Sequence, residues 1–193
     1  MTRGFKRTRD GRVSVRLSTD EVGLLRELVE QVLDMVDGDE SGEPSGTGER
    51  GERDPGGDDL AAMLGIREAA RPPDDPVLAR LFPDGYRGDE ASAAEFRRYT
   101  EEGLRESKRT AAGEILAATA RGEGGTFVLE PEEADSWLRA INDIRLALGT
   151  RLDVSEDAHE ELSRMDPSDS RYPGYVAYDW LSFLQETLVR ALW

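Results

Sequence analysis

The residues best suited to binding chemistry are the arginines near the start of this 193-residue chain. Residues 1–16 hold six basic side chains and one acid, a net +5, whereas the whole chain carries −16. A guanidinium fork matches phosphates and carboxylates, and a two-stranded ribbon can present it to either. Neutralisation by the acidic residues 37–59 is an equally weighted alternative. The predicted partner-binding residues are Arg7, Arg9, Arg12 and Arg16.

Catalytic chemistry has little support in the sequence. The only histidine is His159, in a charged stretch, and a general base needs an orienting partner in a cleft. Neighbouring acids such as Glu101-Glu102 and Glu160-Glu161 fit solvated helix faces, and no nucleophile elbow, Walker loop or dinucleotide fingerprint is present. We therefore predict that the protein is not an enzyme and uses no cofactor.

Metal and thiol chemistry are also disfavoured. The chain has no cysteine, which excludes disulfides, thiolate metal ligands and thiol redox sensing in this chain. Residues 37–42 resemble the start of a calcium-binding loop, but Gly48 occupies the twelfth position, where a bidentate glutamate is needed. The sequence therefore predicts no metal site.

Charged residues also lie beside apolar stripes of two predicted helices. Arg145 falls on the helix of Trp137, and Asp179 precedes Trp180 in the last helix. A buried charge is costly unless it is paired. We predict a structural ion pair between Arg145 and Asp179, and a small buried polar pocket is the alternative.

The elements around these residues begin with a β-hairpin at 5–17. Val13, Val15 and Leu17 alternate with polar residues, and 10–11 reads Asp-Gly, which favours a two-residue type I′ turn. That turn would place Arg9 opposite Arg12 and put Phe5 on the arginine face. A capping box at 18–21 then predicts a helix to about residue 36.

The rest of the chain is predicted to be helical after an acidic loop. Residues 37–59 hold nine acids, two bases and no aliphatic side chain, so the loop is predicted to be disordered. Short helices are predicted near 60–64 and after Asp75-Pro76, with a turn at 83–85. Longer helices are predicted at 89–121, from Pro131 to a glycine cap at Gly149, and at 174–192, with a shorter one at 155–164. Residues 126–129 are a candidate third strand.

Spacing within these helices predicts which side chains face inward. In the helix at 89–121 the predicted inner stripe includes Phe96, Tyr99, Leu104 and Ile115, and Gly103, Ser107 and Ala111 form a small-residue strip. Glu101 and Arg105 would form a solvent-exposed pair one turn apart. The last helix is apolar nearly all round, which indicates either the central helix or a homo-oligomer contact.

The fold class predicted is mostly α: a multi-helix bundle with an N-terminal β-hairpin, in one domain spanning 1–193. The hairpin–helix unit covers 5–36 and the helical core 60–193. No apolar run of signal-peptide or membrane-span length occurs, so we expect a cytoplasmic protein without a membrane partner.

Four segments carry a family resemblance: LFPDGY at 81–86, EFRRYTE at 95–101, WLRAINDIRLALGTRL at 137–152 and YDWLSFLQE at 178–186. With Arg-Gly-Phe at 3–5, they resemble an actinobacterial family of small proteins of unknown function related to the oxidative-stress regulator AosR. The resemblance implies a transcriptional regulator that works with a stress sigma factor. It also implies redox sensing by a cysteine pair, a switch that a chain without cysteine cannot operate.

Three hypotheses follow. The leading one is a regulatory adaptor that binds a sigma factor or RNA polymerase and reaches DNA only indirectly, because a net anion is repelled by phosphates. The second is a structural or proteolysis-linked adaptor without a DNA role. The third is an enzyme with an unfamiliar site.

Overall fold

Two strands open the described part of the chain, and a series of helices with one further strand follows them. The computed structural model of the chain describes residues 3–38, 75–83, 90–155 and 158–193. The predicted fold class, mostly helical with an N-terminal hairpin, is confirmed. The elements are β1 Arg3–Arg7, β2 Val13–Leu17, α1 Thr19–Gly38, α2 Pro76–Leu81, α3 Glu90–Ala118, β3 Gly125–Leu129, α4 Pro131–Arg151, α5 Ala158–Arg164 and α6 Tyr172–Leu192.

The sheet has three strands in the order β1-β2-β3, and both neighbouring pairs are antiparallel. The candidate third strand at 126–129 is therefore confirmed, with Val15 opposite Phe127. Val13, Val15 and Leu17 are buried, as their alternation predicts. One face of the sheet thus covers the helical core.

The predicted two-residue turn is wrong. Arg7 lies opposite Val13, and the Thr8 amide donates to the Arg12 carbonyl at 2.8 Å, which closes a three-residue loop. Gly11 has φ 88°, in the left-handed region that ends such loops. The Thr8 hydroxyl also donates to the Arg12 carbonyl at 2.9 Å and stabilises the longer loop.

Phe5 does not lie on the arginine face. It is buried, and its ring meets that of Trp137 edge-on with centroids 6.1 Å apart. With Lys6 opposite Ser14 and Arg7 opposite Val13, the register differs by one residue from that of a two-residue turn, so Phe5 joins the inward side chains of β2. Burying a phenyl ring contributes about 1.5–3 kcal/mol, which explains its inward position.

Helix α1 begins as predicted. The Ser18 amide donates to Glu21 Oε2 at 2.7 Å, and the Glu21 amide donates to Ser18 Oγ at 3.2 Å, which is a complete capping box. Helix α2 begins with the Asp75 carboxylate accepting from the Val77 amide at 2.7 Å. The apolar stripe of α1 is buried, at Val22, Leu25, Val29, Val32 and Val36.

Helix α4 is the central helix, because α1, α2, α3, β3 and α6 all pack against it. The prediction that α6 could be central is therefore wrong. Gly149 does not cap α4, which continues to Arg151. A Cβ at Gly149 would lie 2.9 Å from the ring of Tyr178, so this glycine permits close approach of α6.

The inner stripe of α3 also differs from the prediction. Phe96, Tyr99 and Leu104 are exposed, whereas Arg105 is fully buried. The small-residue strip fails as well, since of its three members only Ala111 is buried. Ile115 does reach the core. The predicted acidic loop beyond residue 38, the helix near 60–64 and the turn after residue 83 lie outside the described residues.

Candidate partner-binding surface

The outer face of the sheet, which points away from the helices, carries basic side chains in two rows across the strands. Lys6 lies opposite Ser14, which lies opposite Val128. In the next row, Arg3 lies opposite Arg16, which lies opposite Thr126. Paired residues project to the same face. We call Arg3, Lys6 and Arg16 the outer-face cations; all three are exposed.

The four predicted contact arginines are all exposed, but the structure does not gather them on one face. Arg16 belongs to the outer face. Arg7 lies opposite the inward-facing Val13, and Arg9 lies in the hairpin loop. Arg12 donates to Asp10 Oδ2 through its Nε at 2.8 Å. The neighbouring guanidinium holds the pKa of the Asp10 carboxyl well below its usual range, so Asp10 stays ionised beside Arg12.

A concave polar region of about 570 Å³ adjoins this face. Arg3 and Arg16 line it together with Ser18, Thr19 and Glu21 at the start of α1. The Gly124 amide donates to the Thr19 hydroxyl at 3.2 Å and closes one side. The outer face is therefore a shallow cationic surface on a molecule that is acidic overall.

A buried cation lies on α3, where the sequence predicts a solvated pair. Arg105 is 0% exposed, and its Nη2 lies 2.6 Å from Glu101 Oε1. It also donates to the Val36 carbonyl and stacks on Phe82, with its guanidinium carbon 4.7 Å from the ring centroid. The cation therefore fixes α3 against the end of α1 and the residue that follows α2.

A second polar contact joins α3 to α4. Lys108 Nζ lies 2.8 Å from Asp143 Oδ1, and Asp143 is buried. Burial raises the pKa of the Asp143 carboxyl, and the hydrogen bond from Lys108 partly opposes that rise. The pair therefore holds two helices together at the cost of desolvating a carboxylate.

Arg145 and Asp179, predicted to pair, each have another partner. Arg145 Nη1 donates to the Tyr178 hydroxyl at 3.1 Å. Asp179 Oδ1 lies 2.8 Å from His159 Nδ1 on α5. Adjacent helical residues point about 100° apart, so Tyr178 faces α4 while Asp179 faces α5. The His159 side chain is 86% exposed, which agrees with a surface position.

Other candidate sites have less support. Within the described ranges, no group of three or more acidic, histidine or cysteine side chains is placed to hold a metal ion. None of the helices in that part of the chain is long and apolar enough to cross a membrane. On α6, Val176, Phe183 and Val189 are exposed, and the predicted homo-oligomer contact through this helix stays a prediction.

The fold and this surface define a class of small, mainly helical proteins with a cationic three-stranded sheet. The chain belongs to the family described as a domain of unknown function, DUF2017, whose model matches residues 2–192. The family expected from the sequence resemblance is thereby confirmed. No solved structure matches the chain.

Mycobacterial proteins are among the relatives of this chain. The chain is 33% identical to the "Oxidative stress regulator AosR" of Mycobacterium tuberculosis, over 209 aligned positions that cover all of this chain and 88% of that protein. The protein of the same name from Mycobacterium bovis gives the same values. A "Putative oxidative stress regulator AosR" of Mycobacterium leprae is 32% identical, over 89% of this chain and 78% of that protein.

Proposed function

We propose that this protein is a regulatory adaptor that binds a component of the transcription machinery, a sigma factor or RNA polymerase, through the basic side of its hairpin. The name shared by its relatives, oxidative stress regulator, supports a regulatory role. The proposed binding site rests on one observation. The outer-face cations, Arg3, Lys6 and Arg16, lie in two rows on an exposed face of the sheet.

The charge distribution favours an acidic protein surface as the contact. The chain carries −16 overall, so its bulk repels a free DNA duplex, whose affinity for proteins rests on phosphate neutralisation. A local +5 segment can still bind a carboxylate-rich surface. It can also meet phosphates once a partner holds it near DNA, because tethering raises the effective concentration. DNA contact in this proposal is therefore indirect.

The proposal does not include catalysis or a thiol switch. His159 and its partner Asp179 lie on an open surface and not in a cleft, and the chain has no cysteine to oxidise. A regulator of this kind acts by changing which proteins meet. The signal that controls it would act on its abundance, its partner or a group other than a thiol.

Two variants with the same change in charge test the site. The outer-face variant combines Arg3→Ser, Lys6→Ser and Arg16→Ser. Its matched control, the loop variant, combines Arg7→Ser, Arg9→Ser and Arg12→Ser. Purified RNA polymerase, with and without a stress sigma factor, is immobilised on a surface. The dissociation constant of each variant is then measured by titration at 50 and 200 mM salt.

We expect the outer-face variant to bind at least ten times more weakly than the parent, with a smaller loss for the loop variant. An equal loss in both would show that only net charge matters. Unchanged binding in two folded variants would remove the hairpin from the interface. Absence of parent binding, together with co-purification of an ATP-dependent protease component, would favour the proteolysis-linked adaptor instead.

A further inference from the structure

The two edges of the sheet differ in whether a helix covers them. On the β1 edge, the Phe5 amide donates to Thr187 Oγ1 of α6 at 3.1 Å. A Cβ on Gly4 would lie 2.5 Å from the Thr187 methyl, so the helix sits directly against the strand. Covering an edge with a helix removes it as a pairing template. The β1 edge is therefore closed.

The β3 edge is open within the described part of the chain. Strand β3 is the last in the sheet order and pairs with β2 alone. Backbone groups of an antiparallel strand point alternately to its two sides. The Thr8 amide bonds the Arg12 carbonyl, so the next pair is non-bonded and the pair Lys6–Ser14 is hydrogen-bonded. Strand β2 therefore bonds β1 through Ser14 and bonds β3, on its other side, through Val15. The amides and carbonyls of Thr126 and Val128 consequently point away from β2, to the outer side of β3.

Among the residues that the structure describes, this edge lacks the usual protection. Exposed edge strands commonly carry a lysine, a proline or a bulge that prevents pairing. Strand β3 reads Gly-Thr-Phe-Val-Leu, with no charge and no proline, and its five pairs with β2 run without a register shift. Val128 is 46% exposed. A strand of β-branched and aromatic residues with open amides is suited to accept another strand.

The charge next to this edge selects the kind of strand. An added strand would lie two strand spacings, about 10 Å, from Arg16 in the row Arg3–Arg16–Thr126. An arginine and a glutamate side chain together bridge that gap. Lys6 lies about 14 Å away, three spacings, and contributes mainly through its field. Glu123 and Glu130 lie just beyond the two ends of β3 and confine the favourable region to the strand.

We infer that β3 accepts an extended acidic segment of a partner protein as a fourth strand, with an acidic side chain of that segment facing Arg16. A second copy of this chain would add the same cations to the same face. A nucleic acid has no peptide amides to pair with Thr126 and Val128. The inference deepens the proposed function and rests on it in one respect, namely that the protein acts by binding another protein.

The test uses the full chain and a labelled ten-residue peptide of alternating threonine and glutamate, with binding followed by fluorescence anisotropy. Two control peptides replace glutamate by lysine, or carry an N-methyl group on every amide. Val128→Pro removes an outward amide without removing one that bonds β2, and Val128→Thr is its matched control. Arg16→Ser and Lys6→Ser test the dependence on distance, and thermal unfolding verifies that every variant is folded.

We expect the glutamate peptide to bind at least ten times more tightly than either control peptide. Val128→Pro should weaken binding at least tenfold and Val128→Thr less than threefold, and Arg16→Ser should weaken it more than Lys6→Ser. Equal binding of the N-methylated peptide would overturn strand addition. Tighter binding of random duplex DNA than of the peptide would overturn the choice of partner. A dimer that Val128→Pro abolishes would show that a second copy occupies the edge.

These outcomes separate the inference from the proposed function. If RNA polymerase or a sigma factor binds the parent and Val128→Pro equally, the proposed function stands and strand addition is wrong. If the peptide binds as expected and neither transcription component does, the edge is a binding site, but the partner class belongs to another process.

Discussion

Breaking the buried ion pair between Arg105 and Glu101 should destabilise the protein strongly. If Glu101 and Arg105 formed the solvent-exposed pair that their spacing predicts, removing either would cost about 0.3–0.5 kcal/mol. In the structure the Arg105 side chain is 1% exposed and that of Glu101 is 17% exposed. The pair is therefore an interior one, and the two descriptions differ by about a factor of ten in free energy.

The perturbation is Glu101→Ala, compared with Arg105→Met and the double variant. Removing the carboxylate takes away the anion that lies 2.6 Å from a buried guanidinium, which costs about 3–5 kcal/mol. Replacing the arginine by methionine keeps much of the packing on Phe82 but deprives the Val36 carbonyl of a donor, at about 1–3 kcal/mol. The double variant has no buried guanidinium at this position, so it should be more stable than the Glu101→Ala variant.

Urea unfolding followed by circular dichroism gives the free energy of unfolding for all four proteins. The coupling energy between the two positions should be about 1–3 kcal/mol. For a chain of this size, the Glu101→Ala cost corresponds to a melting temperature lower by about 6–20 °C. The slope of the urea dependence should stay constant, which shows that the same surface is exposed on unfolding in each variant.

A loss below about 1 kcal/mol for Glu101→Ala would refute this reasoning, because it would place the pair in solvent. A double variant less stable than both single variants would also contradict it. That result would mean that Glu101 and Arg105 act through separate contacts.

Three further predictions concern packing, pH and the surface. Gly124→Ala should lower the free energy of unfolding by about 1–3 kcal/mol, since its Cβ would lie 2.5 Å from the Thr19 amide nitrogen. Gly113→Ala on α3, whose added Cβ would meet no atom within 4 Å, should raise the free energy of unfolding by about 0.5–1 kcal/mol in the same urea assay. Burial raises the pKa of the Asp143 carboxyl in the folded protein above its usual 3.8, so the contribution of Asp143 to stability falls as pH rises from the unfolded-state pKa to the folded-state pKa. Asp143→Asn should therefore gain stability relative to the parent from pH 4 upward. A difference in the free energy of unfolding that stays constant with pH would contradict this. His159→Ala should change the melting temperature by less than about 3 °C in calorimetry, because its ion pair is exposed.

The parts of the fold that the sequence predicts correctly depend on local contacts. The capping box at Ser18 and Glu21 and the aspartate cap before Pro76 use residues within three positions of each other. Strand β2 shows its buried face by simple alternation. Such signals are readable because the partner of each group lies within the same segment.

The parts that the sequence misses depend on distant partners. Arg105 is buried because a carbonyl 69 residues away accepts its hydrogen bond, and no local pattern reveals that acceptor. Gly149 resembles a helix cap, but the Tyr178 ring decides its role. The length of the hairpin loop is another such case, because Asp10-Gly11 suits both a two-residue turn and the longer loop, and the Thr8–Arg12 bridge selects the latter.

The sites follow the same division. Charge alone located the basic hairpin, but only the register separates Arg16 on the outer face from Arg12 beside Asp10. That β3 lies at an open edge follows only from the order of the strands in the sheet. A four-residue strand signal in the sequence does not reveal that order.

The contact between β1 and α6 has a consequence for synthesis. The Phe5 amide and the Thr187 hydroxyl are 182 residues apart, so translation at about 5–20 residues per second separates their appearance by roughly 9–36 s. During that interval the hairpin can form while its outer strand has no covering helix. The β1 edge of the nascent chain is then open, and a chaperone or the partner itself could bind this edge, which α6 covers in the finished protein.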